Sequence, residues 1–188
     1  MDFELKEPTV VTLGKFDGRH RGHQKLLRTM EEVKESLGYA TAIFTFSTAP
    51  LSLVTGEAAT VITTSEERRH NMEKMGIDYL VEYPFTDDVR KMDPSVFVKD
   101  ILVKRMRAKA MVVGPDCSFG YKGAGNVELL RSLSKELGFE LYVIQKEKDH
   151  RRDISSTYIR EELSLGNVAK ANELLGEPYA IHGIVVHG

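Results

Sequence analysis

The sequence has a single cysteine, Cys117. No disulfide can form within the chain, which suits a reducing compartment. It also has no apolar run approaching the length of a membrane span. Its first residues, MDFELKEPTVV, carry acidic side chains and no apolar h-region, so they are not expected to be a signal peptide. There is no strong excess of one charge: the formal net charge is -2, which argues against a general nucleic-acid binder but leaves local basic patches open. Internal repeats and low-complexity tracts are missing as well. These absences predict a cytoplasmic globular chain with no nucleic-acid or membrane partner. What is present agrees with that. In 188 residues, 41% hydrophobic and 29% charged, there is room for one domain with a sizeable core.

Strands and helices alternate along the chain. The β-branched run TVVTLG (residues 9–14), ATAIFTF (40–46), DYLVEY (78–83), KAMVVG (109–114) and FELYVIQ (139–145) read as five buried strands. Between the first two, Leu26, Leu27, Met30, Val33 and Leu37 share one helical face, predicting a helix over 23–37. Thr64 and Glu67 form a capping-box pattern. Asp93 and Pro94 suit the N-cap and first position of a helix running to Met106. Asn126 and Gly138 bracket another helix, and two short helices are predicted near 156–163 and 167–175. Such alternation with nearly continuous apolar strands predicts a parallel sheet covered on both faces. Ligands of such sheets bind beyond the carboxyl ends of the strands. The unusual residues do follow strands: GKFDGRHRGH after the first, FSTAP after the second, GPDCSFGYKGAGN after the fourth, and ISSTYIR after the fifth and a polar loop.

In the first of these loops, Gly14, Gly18 and Gly22 remove side chains where a ligand would approach the backbone. His20 and His23, three residues apart, can point into one pocket at the start of a helix, where free N–H groups attract anions. Imidazoles donate to phosphate oxygens, and partial protonation is accessible near neutral pH. The plainer reading is two exposed polar residues beside a helix cap. A zinc site is disfavoured because no nearby Cys or third His completes a ligand set. Neither the G-x-G-x-x-G fingerprint nor the P-loop pattern occurs. Taken singly, ISST reads as an N-cap cluster, Asp17 as a turn residue and Arg160 as a solvated helix residue. Phe119 suits the core, and Cys117 a small buried apolar position.

GKFDGRHRGHQ resembles the G-x-F-D-G-x-H-x-G-H-Q signature of bacterial FAD synthetases, the bifunctional riboflavin kinase/FMN adenylyltransferases. Its HxGH core is shared by the whole nucleotidyltransferase superfamily. ISSTYIR resembles the same family's I-S-S-T-x-I-R, and VGPDCSFGYKGAGN resembles its V-G-x-D/N-F-x-F-G loop. There are departures: Cys117 stands where the family usually has Phe, and Arg19 where an apolar residue is common. FSTAP keeps only Pro50 of a terminal Pro-His-Pro. The resemblance implies a Rossmann-like α/β nucleotidyltransferase with a five-stranded parallel sheet and helices on both faces. It implies that FMN and ATP give FAD and pyrophosphate, with Mg2+ held mainly by ATP phosphates and water rather than by protein ligands.

By the same resemblance His20, His23 and Arg160 are catalytic. Gly14, Phe16, Asp17, Gly18 and Gly22 wrap the nucleotide, and Ser155, Ser156 and Thr157 grip its triphosphate. Asp116 and Phe119 are the flavin-side candidates, as polar anchor and apolar wall. Two other readings stay open: a different HxGH nucleotidyltransferase, and a flavin- or nucleotide-binding module with little turnover. The resemblance also divides the chain into an FMN adenylyltransferase domain (1–177) and the opening strand of a riboflavin kinase domain (178–188), with that domain expected C-terminal in the full-length enzyme. The expected outcome for this chain with riboflavin and ATP alone is no FMN and no FAD, which chromatography would check.

Overall fold

Five apolar runs become five parallel strands in a computed structural model, which describes residues 3–47, 60–181 and 183–186. They are β1 (Thr9–Leu13), β2 (Ala40–Phe46), β3 (Tyr79–Tyr83), β4 (Ala108–Val113) and β5 (Glu140–Val143), in the spatial order β3-β2-β1-β4-β5. Alternate residues serve opposite faces, as a period of two demands. Val10, Ile43, Ala110 and Val112 pack with Leu27, Met30 and Val33 of helix α1 (Arg21–Leu37) and Met72 of α2 (Ser65–Lys74). Val11, Phe44, Met111 and Val113 pack on the other side with Leu130 and Leu133 of α5 (Val127–Leu137). Between these come two short helices, α3 (Asp87–Arg90) and α4 (Pro94–Val96), of which α3 has no periodic sequence signal.

Three predicted caps hold: Thr64 and Glu67 complete a reciprocal capping box, Asn126 caps α5, and Gly138 closes it in the left-handed region; Gly38 closes α1 in the same way. The helix expected from Asp93 to Met106 is only partly α-helical. After α4 it continues as a π-helix, Phe97–Arg105, ending with the Met106 N–H on the Ile101 carbonyl at 2.9 Å. The five-residue spacing pairs Phe97 with Leu102 and Ile101 with Met106, and all four are buried.

The polar stretch after β5 is a hairpin, β6 (Lys148–Asp149) with β7 (Arg152–Asp153), turning at His150 with φ of 51°. Asp149 fixes it, accepting from the Tyr158 hydroxyl at 2.8 Å and from Lys170 at 2.8 Å. Those partners lie on α6 (Ser156–Ser164) and α7 (Val168–Leu175), which form a small core of their own with Ile62 and Ile154. Of the strand-like run expected from 178, the described residues pair into no sheet, and Ile181, Ile184, Val185 and Val186 are exposed. The Pro50 position of FSTAP and both His182 and His187 lie outside the described residues. Leu130 is fully buried between α5 and the sheet. Leu130→Ala is expected to cost about 2–5 kcal/mol of stability, read as a lower urea midpoint at unchanged slope.

Candidate active site

The chain leaves β1 toward β2 and β3, then returns to the other side of β1 as β4. The crevice at that reversal is where loops diverge. Residues 14–20 form its floor. Phe16, buried and with φ of 50°, holds a backbone conformation that non-glycine residues adopt rarely. Gly18 follows with φ of 64°. A Cβ on Gly18 would stand 2.8 Å from the Ile62 side chain, and one on Gly22 would press on the His20 ring at 3.2 Å. Each of these glycines, and Gly14 against the Phe16 ring, makes room for a protein group, while Gly14 and Gly22 also border the cavity.

His20 is the N-cap of α1, and the helix begins at Arg21, two residues before the expected start. His20 Nδ1 accepts the His23 backbone N–H at 3.3 Å, so the ring proton sits on Nε2. His23 Nδ1 lies 3.1 Å from the Gly18 carbonyl and must donate to it, which leaves a lone pair on His23 Nε2. The rings stack at 3.7 Å, with Phe16 4.8 Å from His23. His20 is almost fully buried, so the plainer reading of exposed cap residues fails for it. Burial, then the neighbouring His23, push the His20 pKa down to about 3. Burial pulls His23 down to about 4 against the Gly18 carbonyl and the Asp17 charge. Both imidazoles are therefore neutral at pH 7, without the partial protonation that the sequence left accessible.

Asp17 is buried and does not face the cavity as a free carboxylate. Its Oδ1 accepts the backbone N–H of Ile62 at 2.7 Å and of Thr63 at 3.1 Å. Its Oδ2 accepts Arg160 Nη1 at 2.7 Å, and its carbonyl accepts the Ser156 hydroxyl at 2.6 Å. Gly18 N–H donates to the Thr63 hydroxyl at 3.1 Å. Arg160 Nη2 reaches Thr157 Oγ1 at 3.3 Å, so this arginine is not a solvated helix residue. Ser155 is indeed the N-cap of α6, accepting from Tyr158 N–H at 3.2 Å, and its own hydroxyl proton remains available to donate. Gln24, which completes the H-x-G-H-Q stretch, donates to the Arg19 carbonyl at 2.9 Å and the Leu175 carbonyl at 2.7 Å. Arg19 pairs with Glu177.

These groups border a cavity of about 900 Å³, and every expected site residue except Gly18 lines it. At one end stand His20, His23, Ser155, Ser156, Thr157 and Arg160. At the other stand Phe46, Phe85, Phe97 and Tyr121, with Phe46 and Phe85 edge-to-face at 4.8 Å. Phe119 is 6% exposed and packs on Phe97 at 5.8 Å, so it is core that shows only an edge to the cavity. Asp116 is exposed at the rim and engaged by Lys146 at 2.9 Å, which also reaches Asp153 at 3.2 Å. Sequence reasoning missed Lys146 and Phe85, which no motif marks. Cys117 is half-buried against the core, and burial raises its thiol to about 12. His70 and His150 are exposed and lie apart from this cavity. Among the described residues no three His, Cys, Asp or Glu side chains gather as a metal site, and no helix is long and apolar enough to cross a membrane.

The family model described as FAD synthetase matches residues 2–158. The bifunctional riboflavin kinase/FMN adenylyltransferase of Escherichia coli (strain K12) is 35% identical over 184 residues, covering 97% of this chain and 59% of that protein. Its counterpart in Bacillus subtilis (strain 168) is 33% identical, covering 98% of this chain and 58% of that protein. The chain therefore spans somewhat over half the length of these relatives. A crystal structure described as a macrolide-efflux protein from Streptococcus pneumoniae superposes with a TM-score of 0.87 at 28% identity, covering 99% of this chain and 71% of that one. A pantoate-beta-alanine ligase from Francisella tularensis, at TM-score 0.55 and 13% identity, covers 90% of this chain and 70% of its own and shares the fold.

The neutral histidines predict a pH dependence of stability. A histidine whose pKa is lowered binds fewer protons folded than unfolded, so stability rises with pH between the two values. The contribution is complete above the ordinary value of 6.5 and is lost as pH falls toward about 4 for His23 and about 3 for His20. Urea midpoints should fall from pH 7 to pH 4.5. His20→Asn, which keeps a capping side chain, should flatten that fall. An unchanged slope would show that His20 is not held neutral.

Proposed function

The chain belongs to the FAD synthetase family, and from that premise we propose that it transfers the adenylyl group of ATP to FMN, giving FAD and pyrophosphate. The observation that carries this reading is the two-ended cavity, with anion-directed donors at one end and an aromatic wall at the other. An FMN phosphate oxygen attacks the α-phosphorus in line. The bond from that phosphorus to the α,β-bridging oxygen breaks, and pyrophosphate leaves with the electron pair. The nucleophile is already anionic, so no strong base is required, and the protein contributes position and charge stabilisation.

His20 offers its Nε2 proton to a phosphate oxygen at once. His23 offers a lone pair until it gains a proton, a step that the charge of a bound triphosphate favours. That difference supports assigning His23 to charge that grows during the reaction. Arg160, with Ser155, Ser156 and Thr157, grips the triphosphate from the opposite side. The nucleotide lies over the backbone of Gly14, Phe16, Asp17, Gly18 and Gly22. Magnesium belongs with the phosphates, since the three carboxylates at the cavity, Asp17, Asp116 and Glu147, are each engaged by a cation. On the flavin side Phe46, Phe85 and Tyr121 provide the apolar wall with the edge of Phe119, and Asp116 with Lys146 forms the polar rim. A cytoplasmic setting follows from these substrates. Riboflavin phosphorylation we assign to the part of the relatives beyond this chain's span, with the boundary after α7, at residue 177.

Incubation with ATP, Mg2+ and FMN should yield FAD and pyrophosphate in equal amounts, followed by chromatography and a pyrophosphate assay. No FAD would sink the reading. His23→Ala should lower turnover by roughly 10²–10³, the scale of one preorganised donor, with ATP affinity falling less. Circular dichroism must show that the variant is folded, and near-wild-type turnover would exclude the role given to His23.

A further inference from the structure

The carboxylate of Asp17 is the least accessible charge in the site, with its side chain 6% exposed, and its two oxygens have separate tasks. Oδ1 takes both backbone N–H groups of Ile62 and Thr63, which joins the β1 loop to the segment before α2. Oδ2 takes Arg160 alone, across 143 residues of sequence. The main chain of the same residue takes the Ser156 hydroxyl. We propose that Asp17 is a positioning residue, which holds the Arg160 guanidinium at the phosphate end of the cavity and leaves its remaining N–H groups for the nucleotide.

An arginine side chain has many rotamers, and its guanidinium has five N–H donors in a rigid fork. One Nη1 proton goes to Asp17 and one Nη2 proton to Thr157, so the fork is fixed at two points with donors to spare. Without Asp17 the side chain would leave the cavity for solvent much of the time, since its exposure of 29% leaves it a route outward. Catalytic groups act by being in place beforehand, and ordering them at the moment of reaction costs rate. Strong burial of the carboxylate keeps water from competing for this ion pair. The proposal rests on the adenylyl-transfer reading for its kinetic consequences but not for its geometry.

Asp17→Asn separates the two tasks. The amide oxygen still accepts from Ile62 and Thr63, while the amide NH2 faces Arg160 and has nothing to accept with. The expected result is a urea midpoint close to wild type with kcat/KM for ATP lowered on the order of 10-fold. In an Arg160→Ala background the same substitution should then add little, because the residue it positions is gone. Losses that simply add, or a loss that tracks a fallen urea midpoint, would overturn the proposal. If Asp17→Asn does not fold, nitrogen-detected NMR of the nucleotide-free wild type decides. With Arg160 assigned by comparison with Arg160→Lys, slowed rotation of its guanidinium is expected, and free rotation overturns the proposal. Should the wild type make no FAD, the adenylyl-transfer reading fails, and the NMR result still judges the position of Arg160.

Discussion

Parallel strands cannot be joined by tight turns, so every β-to-β connection here must travel back over the sheet. The chain makes that crossover outward to β3 and then starts again on the far side of β1. At β1 and β4 the following loops therefore part in opposite directions. The loops after those two strands both line the cavity at their carboxyl ends. The remaining architecture follows from that opening. The β1 loop, the β4 loop, residues 144–147 after β5 and the start of α6 all line it.

Holding polar groups in such a crevice requires that each find a partner. For the histidines and the carboxylate of the β1 loop the structure meets this demand with neutral and paired groups rather than with a cluster of free charges, while the buried Thr45 hydroxyl at the cavity has no partner among the described residues. The imidazoles lose their protons to burial and are oriented by one backbone donor and one backbone acceptor. The sole buried carboxylate of the loop is neutralised by Arg160 and two N–H groups. On the proposed function a triphosphate would meet aimed donors from His20 and Arg160 and a lone pair on His23, with the desolvation of these groups already met by folding. The unusual φ of Phe16 belongs to the same economy of space. It turns the chain so that a phenyl ring lies against His23 while the next residue points its carboxylate inward.

The elements with strong local signals were legible in the sequence. All five strands, α1, α2, α5, α6 and α7 follow from periodicity and caps, and their order predicts the sheet edge that carries the site. What periodicity cannot register is a change of helical pitch. Phe97 to Arg105 looks α-helical because its apolar residues recur every four or five positions, and only the packing against β4 distinguishes the wider turn. The hairpin at 148–153 was invisible for a different reason. Its strands are two residues long, and tertiary contacts from Asp149 to Tyr158 and Lys170 define it, not β-propensity. The motif letters pick out residues that line one cavity but not their side-chain partners. Asp17 lies within GKFDGRHRGH, and its side chain turns toward Ile62, Thr63 and Arg160.

The two ends of the cavity differ in how far sequence can describe them, and the reason is physical. On the proposed function, phosphate recognition needs a few donors at fixed backbone positions, and short contiguous patterns such as HRGH and ISSTYIR would supply them. Recognition of a flat apolar ring needs area, which any aromatic at the right place supplies. That end draws Phe46 from β2, Phe85 from the turn after β3, Phe97 from the π-helix and Tyr121 from the loop after β4. No spacing rule links four separate segments. Its polar rim is equally scattered, since the cation beside Asp116 comes from Lys146 beyond β5. Cys117 departs from the family pattern among the residues that line the cavity. Arg19 departs from it beside His20, but its side chain pairs with Glu177 and does not line the cavity, so that change falls on a side chain engaged with other protein groups.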